Sequence, residues 1–292
     1  MTDLLSDADL YNTYTKELSA HMRAAVKAYL DFEQAEKEVS VFFSGVSARL
    51  PRRDTALTEA YRHWLKGILR GWSFQYNGAS GKMLSVDDID GFTTIHPERE
   101  GRDPTYDMRC GHVLMDEYLE SCLKEFDFEG LINKIEQEAK GLESAGLEES
   151  ANRIISALSL GSQFDNGYGA APTKQGKIVF CRHSIYMSFD SYSSDLWRKW
   201  AELAGDFESA EREAGGHGWA EGCRQISTAL RDRKMMDGPF ESRTLLAGDC
   251  ALSAQVFKDH LKIRFSPADM ASLMAFLRLH GTYYFWDSKG VA

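Results

Sequence analysis

Cys181 and His183 are the two residues whose types and spacing come closest to those of a catalytic pair. They lie two positions apart in residues 177–189, the strongest β-strand pattern of the chain, and residues two apart share one face of a strand. A thiolate beside an imidazole forms a nucleophile and its base. A half-buried cysteine beside a surface histidine is the commoner reason for this spacing, so the pattern does not predict catalysis.

Two other segments contain residues typical of phosphate or metal sites, but with the wrong spacing. Gly78, Gly81 and Lys82 are closer together than in a P-loop, and Met83 replaces the Ser or Thr that should follow the lysine. The aspartates of residues 87–90 lack the alternate spacing and the closing Glu of an EF-hand. The sequence also lacks Gly-x-Ser-x-Gly and His-Glu-x-x-His motifs. It therefore predicts no catalytic residue, cofactor or metal ion.

Residues suited to protein contacts lie towards the end of the chain. Tyr283, Tyr284, Phe285 and Trp286 are consecutive aromatics, and aromatic side chains dominate binding energy at interfaces. Packing of these rings on the chain's own sheet is the alternative. His260, in a predicted hairpin turn, is an exposed candidate for binding. We predict an interface at these five residues, and self-association as the specific role of the aromatic run.

The composition predicts a folded, acidic protein. Hydrophobic residues make up 43% of the 292 residues and aromatic residues 12%, which is typical of a globular chain. The formal net charge of −10 argues against general nucleic-acid binding, because such binding needs positive charge to neutralise phosphates. It favours a partner that is itself basic, such as a DNA-binding enzyme.

The N-terminus and the cysteines predict a cytoplasmic protein. Residues 1–7 lack the basic and then apolar order of a signal peptide. No apolar run approaches the roughly 20 residues that span a bilayer. Five cysteines are scattered along the chain without a Cys-x-x-Cys pair. Their odd number and spacing are typical of reduced thiols, with an intermolecular disulfide as the alternative.

The N-terminal half has the apolar periodicity of helices. Apolar residues recur at helical spacing in residues 4–38, 55–70 and 108–126. The same spacing continues through residues 126–160, which as one straight helix would extend about 45–50 Å at about 1.5 Å per residue. Gly141 and Gly146 interrupt this span, and each predicts a bend or a break. The sequence thus predicts a helical lobe at residues 1–122 and a helical arm at residues 123–160.

The C-terminal half mixes strands and helices. Strand patterns occur at residues 177–189, 240–246, 251–257 and 261–265, and helical patterns follow residues 196 and 219. Ser266 and Pro267 predict the start of a terminal helix. Short strands joined by tight turns favour antiparallel pairing. The predicted fold class is α+β, with residues 161–292 forming a lobe in which a mainly antiparallel sheet is flanked by helices.

Part of this C-terminal half resembles an uncharacterised domain of phage and plasmid proteins, domain of unknown function 4942. The resemblance is carried by the strand at residues 177–189, by the sequence Leu-Lys-Ile-Arg-Phe at residues 261–265, and by the Pro-Ala-Asp-Met that follows. That family usually has Asn-Gly-Asn where this chain has Lys-Asp-His at residues 258–260.

The order of a helical lobe, a helical arm and a second lobe is similar to that of the phage anti-Gabija proteins. This resemblance implies a non-enzymatic, oligomeric anti-defence protein in the host-cell cytoplasm. Its partner would be a bacterial antiviral nuclease–helicase complex, whose DNA binding and cleavage it blocks by wrapping around it. One alternative is a nucleic-acid-associated phage or plasmid accessory protein, including an enzyme of unrecognised type. Another is a structural module of a phage assembly.

Overall fold

The computed structural model describes most of the chain, and its helices and four-stranded sheet confirm the predicted α+β class. The chain folds into two compact units. The first unit is Met1–Tyr76 with Met83–Gly141, and the second is Asn77–Lys82 with Leu142–Ala292. The residues described are 7–42, 50–96, 105–109, 113–158, 160, 177–181, 196–235, 243–248, 251–256 and 260–282.

The described part of the first unit is helical. Its elements are α1 (Asp7–Phe42), α2 (Arg53–Tyr76), a 3-10 turn (Val86–Asp88), α3 (Tyr106–Arg109), α4 (Met115–Glu125) and α5 (Phe128–Lys140). Helix α1 packs against α2, α4 and α5. Leu18, Met22 and Val26 recur every four residues on α1 and are buried, because that spacing forms one stripe along a helix.

The helix predicted over residues 126–160 begins at Phe128 and is broken at Gly141, one of the two glycines where a bend or break was predicted. Phe126 has extended backbone angles and separates α4 from α5. Asp127 caps α5, and its Oδ1 accepts a hydrogen bond from the Gly130 amide at 2.8 Å. Gly141 ends α5, and the next helix, α6, is Leu142–Ala157. The predicted arm at residues 123–160 is therefore divided, with α5 in the first unit and α6 in the second.

Gly146 was predicted to bend or break the helix, but it lies inside α6. Its lack of a side chain allows a close contact. A Cβ atom at this position would lie 2.5 Å from Ser80 Oγ and 2.7 Å from Lys82 Cβ. The segment Asn77–Lys82 lies against the helix here, and the Glu143 carboxylate accepts a hydrogen bond from the Ala79 amide at 2.7 Å. Glycine at 146 thus allows this segment to reach α6.

The second unit places helices on one face of a sheet. Its other elements are β1 (Lys177–Cys181), α7 (Leu196–Ala214), α8 (Trp219–Met235), β2 (Leu245–Ala247), β3 (Ser253–Val256), β4 (His260–Arg264) and α9 (Pro267–His280). The strand order is β1-β4-β3-β2, and every described pair is antiparallel. Ser266 caps α9 as predicted, since its Oγ accepts a hydrogen bond from the Asp269 amide at 3.0 Å.

Gly67 and Gly71 lie inside α2, where nothing lies within 4 Å of a Cβ atom added at either position. Glycine costs a helix about 1 kcal/mol relative to alanine. We expect Gly67→Ala and Gly71→Ala each to raise the free energy of unfolding by about 1 kcal/mol. Urea denaturation followed by circular dichroism measures the effect. A loss of stability in both variants would contradict the open space that the structure shows beside these two glycines.

Candidate functional site

The structure describes one of the five residues that the sequence predicts to form an interface. His260 is the first residue of β4 and the register partner of Cys181. Tyr283, Tyr284, Phe285 and Trp286, like His183, lie outside the described residues, so the aromatic interface stays a prediction. The residue before the aromatic run is held in place. The Thr282 amide donates to Asn152 Oδ1 at 3.0 Å, and Asn152 Nδ2 donates to Thr282 Oγ1 at 2.8 Å.

Negative charge is concentrated in the first unit. Its sequence contains 25 acidic and 16 basic residues, whereas that of the second unit contains 19 and 18. The formal net charges are therefore −9 and −1, which together give the −10 of the whole chain. The first unit therefore carries almost all of the net negative charge of the chain, and net charge governs long-range attraction of a charged partner.

Exposed apolar side chains are also concentrated in the first unit. Within the described ranges, seven of the nine large apolar side chains that are exposed belong to it. They are Tyr11, Phe32, Val39, Phe74, Met83, Tyr106 and Leu114. An acidic surface that also exposes aromatic and aliphatic side chains is suited to binding a basic protein. We treat this surface as the candidate site.

A chain of aromatic contacts, which we call the aromatic cluster, joins the core of the first unit to this surface. Phe126 lies at its centre, with ring centroids 4.8 Å from Phe128, 5.6 Å from Tyr61 and 6.1 Å from Phe92. Tyr11 of α1 contacts Phe128 edge-on at 6.4 Å. Tyr61 is fully buried and Tyr11 is 39% exposed. The cluster therefore supports an exposed ring on a rigid base, as interface anchors require.

The sequence around residue 127 holds the cluster in place. The extended backbone at Phe126 and the cap at Asp127 set where α5 begins. Gly130 leaves room beside the cap, since a Cβ atom there would lie 3.0 Å from the Phe92 ring. The segment that carries Phe92 thus packs directly against the first turn of α5.

Tyr61 ties the same segment to α2. Its hydroxyl donates to the Phe92 carbonyl at 2.8 Å, and burial raises the pKa of the phenol, so the donor stays protonated. We expect Tyr61→Phe to lower the free energy of unfolding by about 1–2 kcal/mol, because a half-buried carbonyl loses its partner. Tyr29→Phe is the control. Its hydroxyl donates to the Pro51 carbonyl at an exposed position, where water can replace it. Equal costs for both variants in urea denaturation would contradict this assignment.

Helices α4 and α5 supply acidic residues beside the cluster. Residues 115–140 contain eight acidic and three basic side chains. Two of the lysines pair along α5, Lys134 with Glu138 and Lys140 with Glu136. Arg23 of α1 donates to Glu120 of α4 at 2.6 and 2.8 Å and holds the pKa of that carboxyl below its usual range. The exposed acids of this segment are Asp116, Glu117, Glu120, Glu125, Asp127 and Glu129.

The second unit contains a buried carboxylate, but its geometry is that of an ion pair. Asp206 on α7 is 3% exposed, and burial raises its pKa even though Arg153 opposes the shift. Arg153 Nε lies 2.9 and 3.0 Å from the two carboxylate oxygens. Because the guanidinium contacts both oxygens, Asp206 joins α6 to α7 and is not placed to act as a general base.

His96 is a polar residue that the sequence did not single out. Its Nε2 lies 3.2 Å from Thr58 Oγ1, and its Nδ1 lies 3.3 Å from the Tyr118 hydroxyl. The ring therefore links α2 to α4 through two hydroxyl groups. These two contacts give His96 a structural role between the helices.

Other site types find no support in the described part of the chain. Among those residues, no group of three His, Cys, Asp or Glu side chains could hold a metal ion. None of the described helices is both long enough and apolar enough to cross a membrane. Comparisons of the chain with protein-family models, with curated proteins and with solved structures found no match.

Proposed function

We propose that this chain is a phage-encoded anti-defence protein that inhibits a bacterial antiviral nuclease complex of the Gabija type. In this proposal, the acidic surface of the first unit binds the basic surface through which the complex contacts DNA, and so blocks DNA binding and cleavage. The observation that carries the proposal is the concentration in one unit of nine of the ten net negative charges and, within the described residues, of seven of the nine exposed large apolar side chains.

The physical reason is complementarity. A surface that binds DNA must be basic, because it neutralises phosphates. An acidic protein is attracted to that surface and competes with DNA for it. Charge alone gives modest affinity at physiological salt, since exposed charges are screened beyond about 8 Å. Exposed rings such as Tyr11 and Phe74 supply the apolar contacts that hold a complex together.

The proposal includes oligomeric binding in the host cytoplasm and no enzymatic activity of the chain itself. Its test uses a purified nuclease–helicase complex of the Gabija type and a labelled DNA substrate. We expect the chain to bind the complex, to stop cleavage, and to do so less well as salt is raised. The chain alone should not bind the DNA at physiological salt. Direct DNA binding without any effect on the nuclease would favour the accessory-protein alternative and overturn the proposal.

A further inference from the structure

The four-stranded sheet of the second unit has one buried and one open face. Ala247, Ala254 and Ile263 are buried and are register partners across β2, β3 and β4. The neighbours of Ala254 and Ile263 along their strands point to the opposite side. Leu245 lies on that side too, because it pairs with Gln255 across a register shift in β2. That side, which we call the outer sheet face, carries Leu245, Ser253, Gln255, Lys262 and Arg264. All five are exposed or half-buried.

The charged positions of this sheet are basic. Gln255 pairs in register with Leu245 on one side and with Lys262 on the other. Arg264 pairs with Lys177 of β1. None of the residues in the four described strands is acidic. The outer sheet face thus differs in sign from the first unit of the same chain.

Arg243 adds a cation beside this face in a fixed position. It has a φ of 74°, a left-handed conformation that is uncommon outside glycine. Gln255 Nε2 donates to the Arg243 carbonyl at 3.0 Å, so an outer-face side chain holds this backbone. Arg243 and Arg264 are exposed, and Leu245 is 60% exposed. The face therefore combines exposed positive charge with an apolar side chain.

We propose that the outer sheet face binds the acidic first unit of a second copy of this chain. The two surfaces are opposite in charge, and both expose apolar side chains, which is the complementarity that selects partners and their orientation. Every copy presents both surfaces. The contact joins two different surfaces, so each copy can bind one partner through its sheet face and one through its first unit.

This inference takes from the proposed function only the acidic surface of the first unit, and it concerns the chain alone. Its test is sedimentation velocity on the purified full chain over a series of concentrations. We expect association at low salt that is lost at about 1 M salt, where the screening length is about 3 Å. Because the nuclease complex is absent, failure here leaves the inhibition assay unaffected.

Two sets of charge reversals locate the contact. We expect Arg243→Glu combined with Arg264→Glu, and separately Glu117→Lys, Glu125→Lys and Glu129→Lys together, each to weaken self-association by about tenfold or more. The control replaces two exposed arginines elsewhere in the second unit, Arg198→Glu with Arg278→Glu. This control should associate like the native chain. Thermal unfolding of each variant checks that it is folded.

Mixing the two impaired variants gives the decisive result. Each variant keeps one intact surface, so the mixture should associate through the native contact between unlike variants at concentrations where neither variant associates alone. A native chain that is monomeric at every salt concentration overturns the proposal, as does a sheet-reversed variant that associates normally. Single-stranded DNA binding that is lost with the two sheet reversals also overturns it, because the face would then serve nucleic acid.

Discussion

Trp219→Ala is expected to lower the free energy of unfolding of the second unit by about 3–5 kcal/mol, because it removes a large side chain from the core. Trp219 is fully buried at the start of α8. Its ring meets Phe207 and Phe265 nearly edge-on, with centroids 6.3 and 6.2 Å away. Its Nε1 donates to Asp269 Oδ1 at 3.1 Å and so joins α8 to the capped turn of α9.

Two variants separate these contributions. Trp219→Phe keeps an aromatic ring but loses the hydrogen bond to Asp269, so we expect an intermediate loss. Trp197→Ala alters a tryptophan that is only partly buried against the same core, and its cost should be smaller. Urea denaturation followed by near-ultraviolet circular dichroism reports on all three. A Trp219→Ala variant as stable as Trp197→Ala would contradict the central position given to Trp219.

Gly146→Ala is expected to lower the free energy of unfolding by about 2 kcal/mol. Alanine favours a helix by about 1 kcal/mol over glycine, but three atoms lie within 2.7 Å of the new methyl group, so the cost of overpacking should be about 3 kcal/mol, the upper end of its usual range. The atoms closest to the new methyl group include Ser80 Cβ at 2.6 Å, which cannot turn away as a flexible side-chain end can. The segment Asn77–Lys82 must therefore shift. Its hydrogen bonds include one from Ser209 Oγ to the Ser80 carbonyl.

Gly141→Ala is the matched control for this effect. Gly141 has right-handed helical angles, and nothing lies within 4 Å of an added Cβ atom. We expect this variant to be as stable as the native chain or slightly more stable. Denaturation curves of the two variants, measured together, give the comparison. Equal stability would mean that the segment before Met83 does not lie against α6.

Local sequence rules predicted much of the fold and failed where distant residues meet. Alternating strand residues and the Ser266–Pro267 signal identified β4 and the start of α9, because both depend on neighbouring residues. The apolar periodicity of residues 126–160 could not show the cap at Asp127. Gly146 was wrongly predicted to break the helix. The residue that requires a glycine there, Ser80, lies about 65 positions earlier in the sequence.

The candidate site was less predictable than the fold. The net charge was visible in the sequence, but its concentration became clear only when the units were known. The aromatic cluster brings together Tyr11, Tyr61, Phe92 and Phe126, whose separations along the chain give no periodic signal. The aromatic run at residues 283–286 was the most visible interface pattern in the sequence, and it remains a prediction.

The measurement that tests the central claim most directly is nuclease inhibition by two matched triple variants. One reverses Glu117, Glu125 and Glu129 of the first unit to lysine, and the other reverses three exposed acids of the second unit, Glu202, Glu221 and Asp232. The net charge changes equally in both. We predict that the first-unit variant needs at least about tenfold more protein to stop DNA cleavage, whereas the second-unit variant inhibits like the native chain. Equal inhibition by both variants would contradict the account.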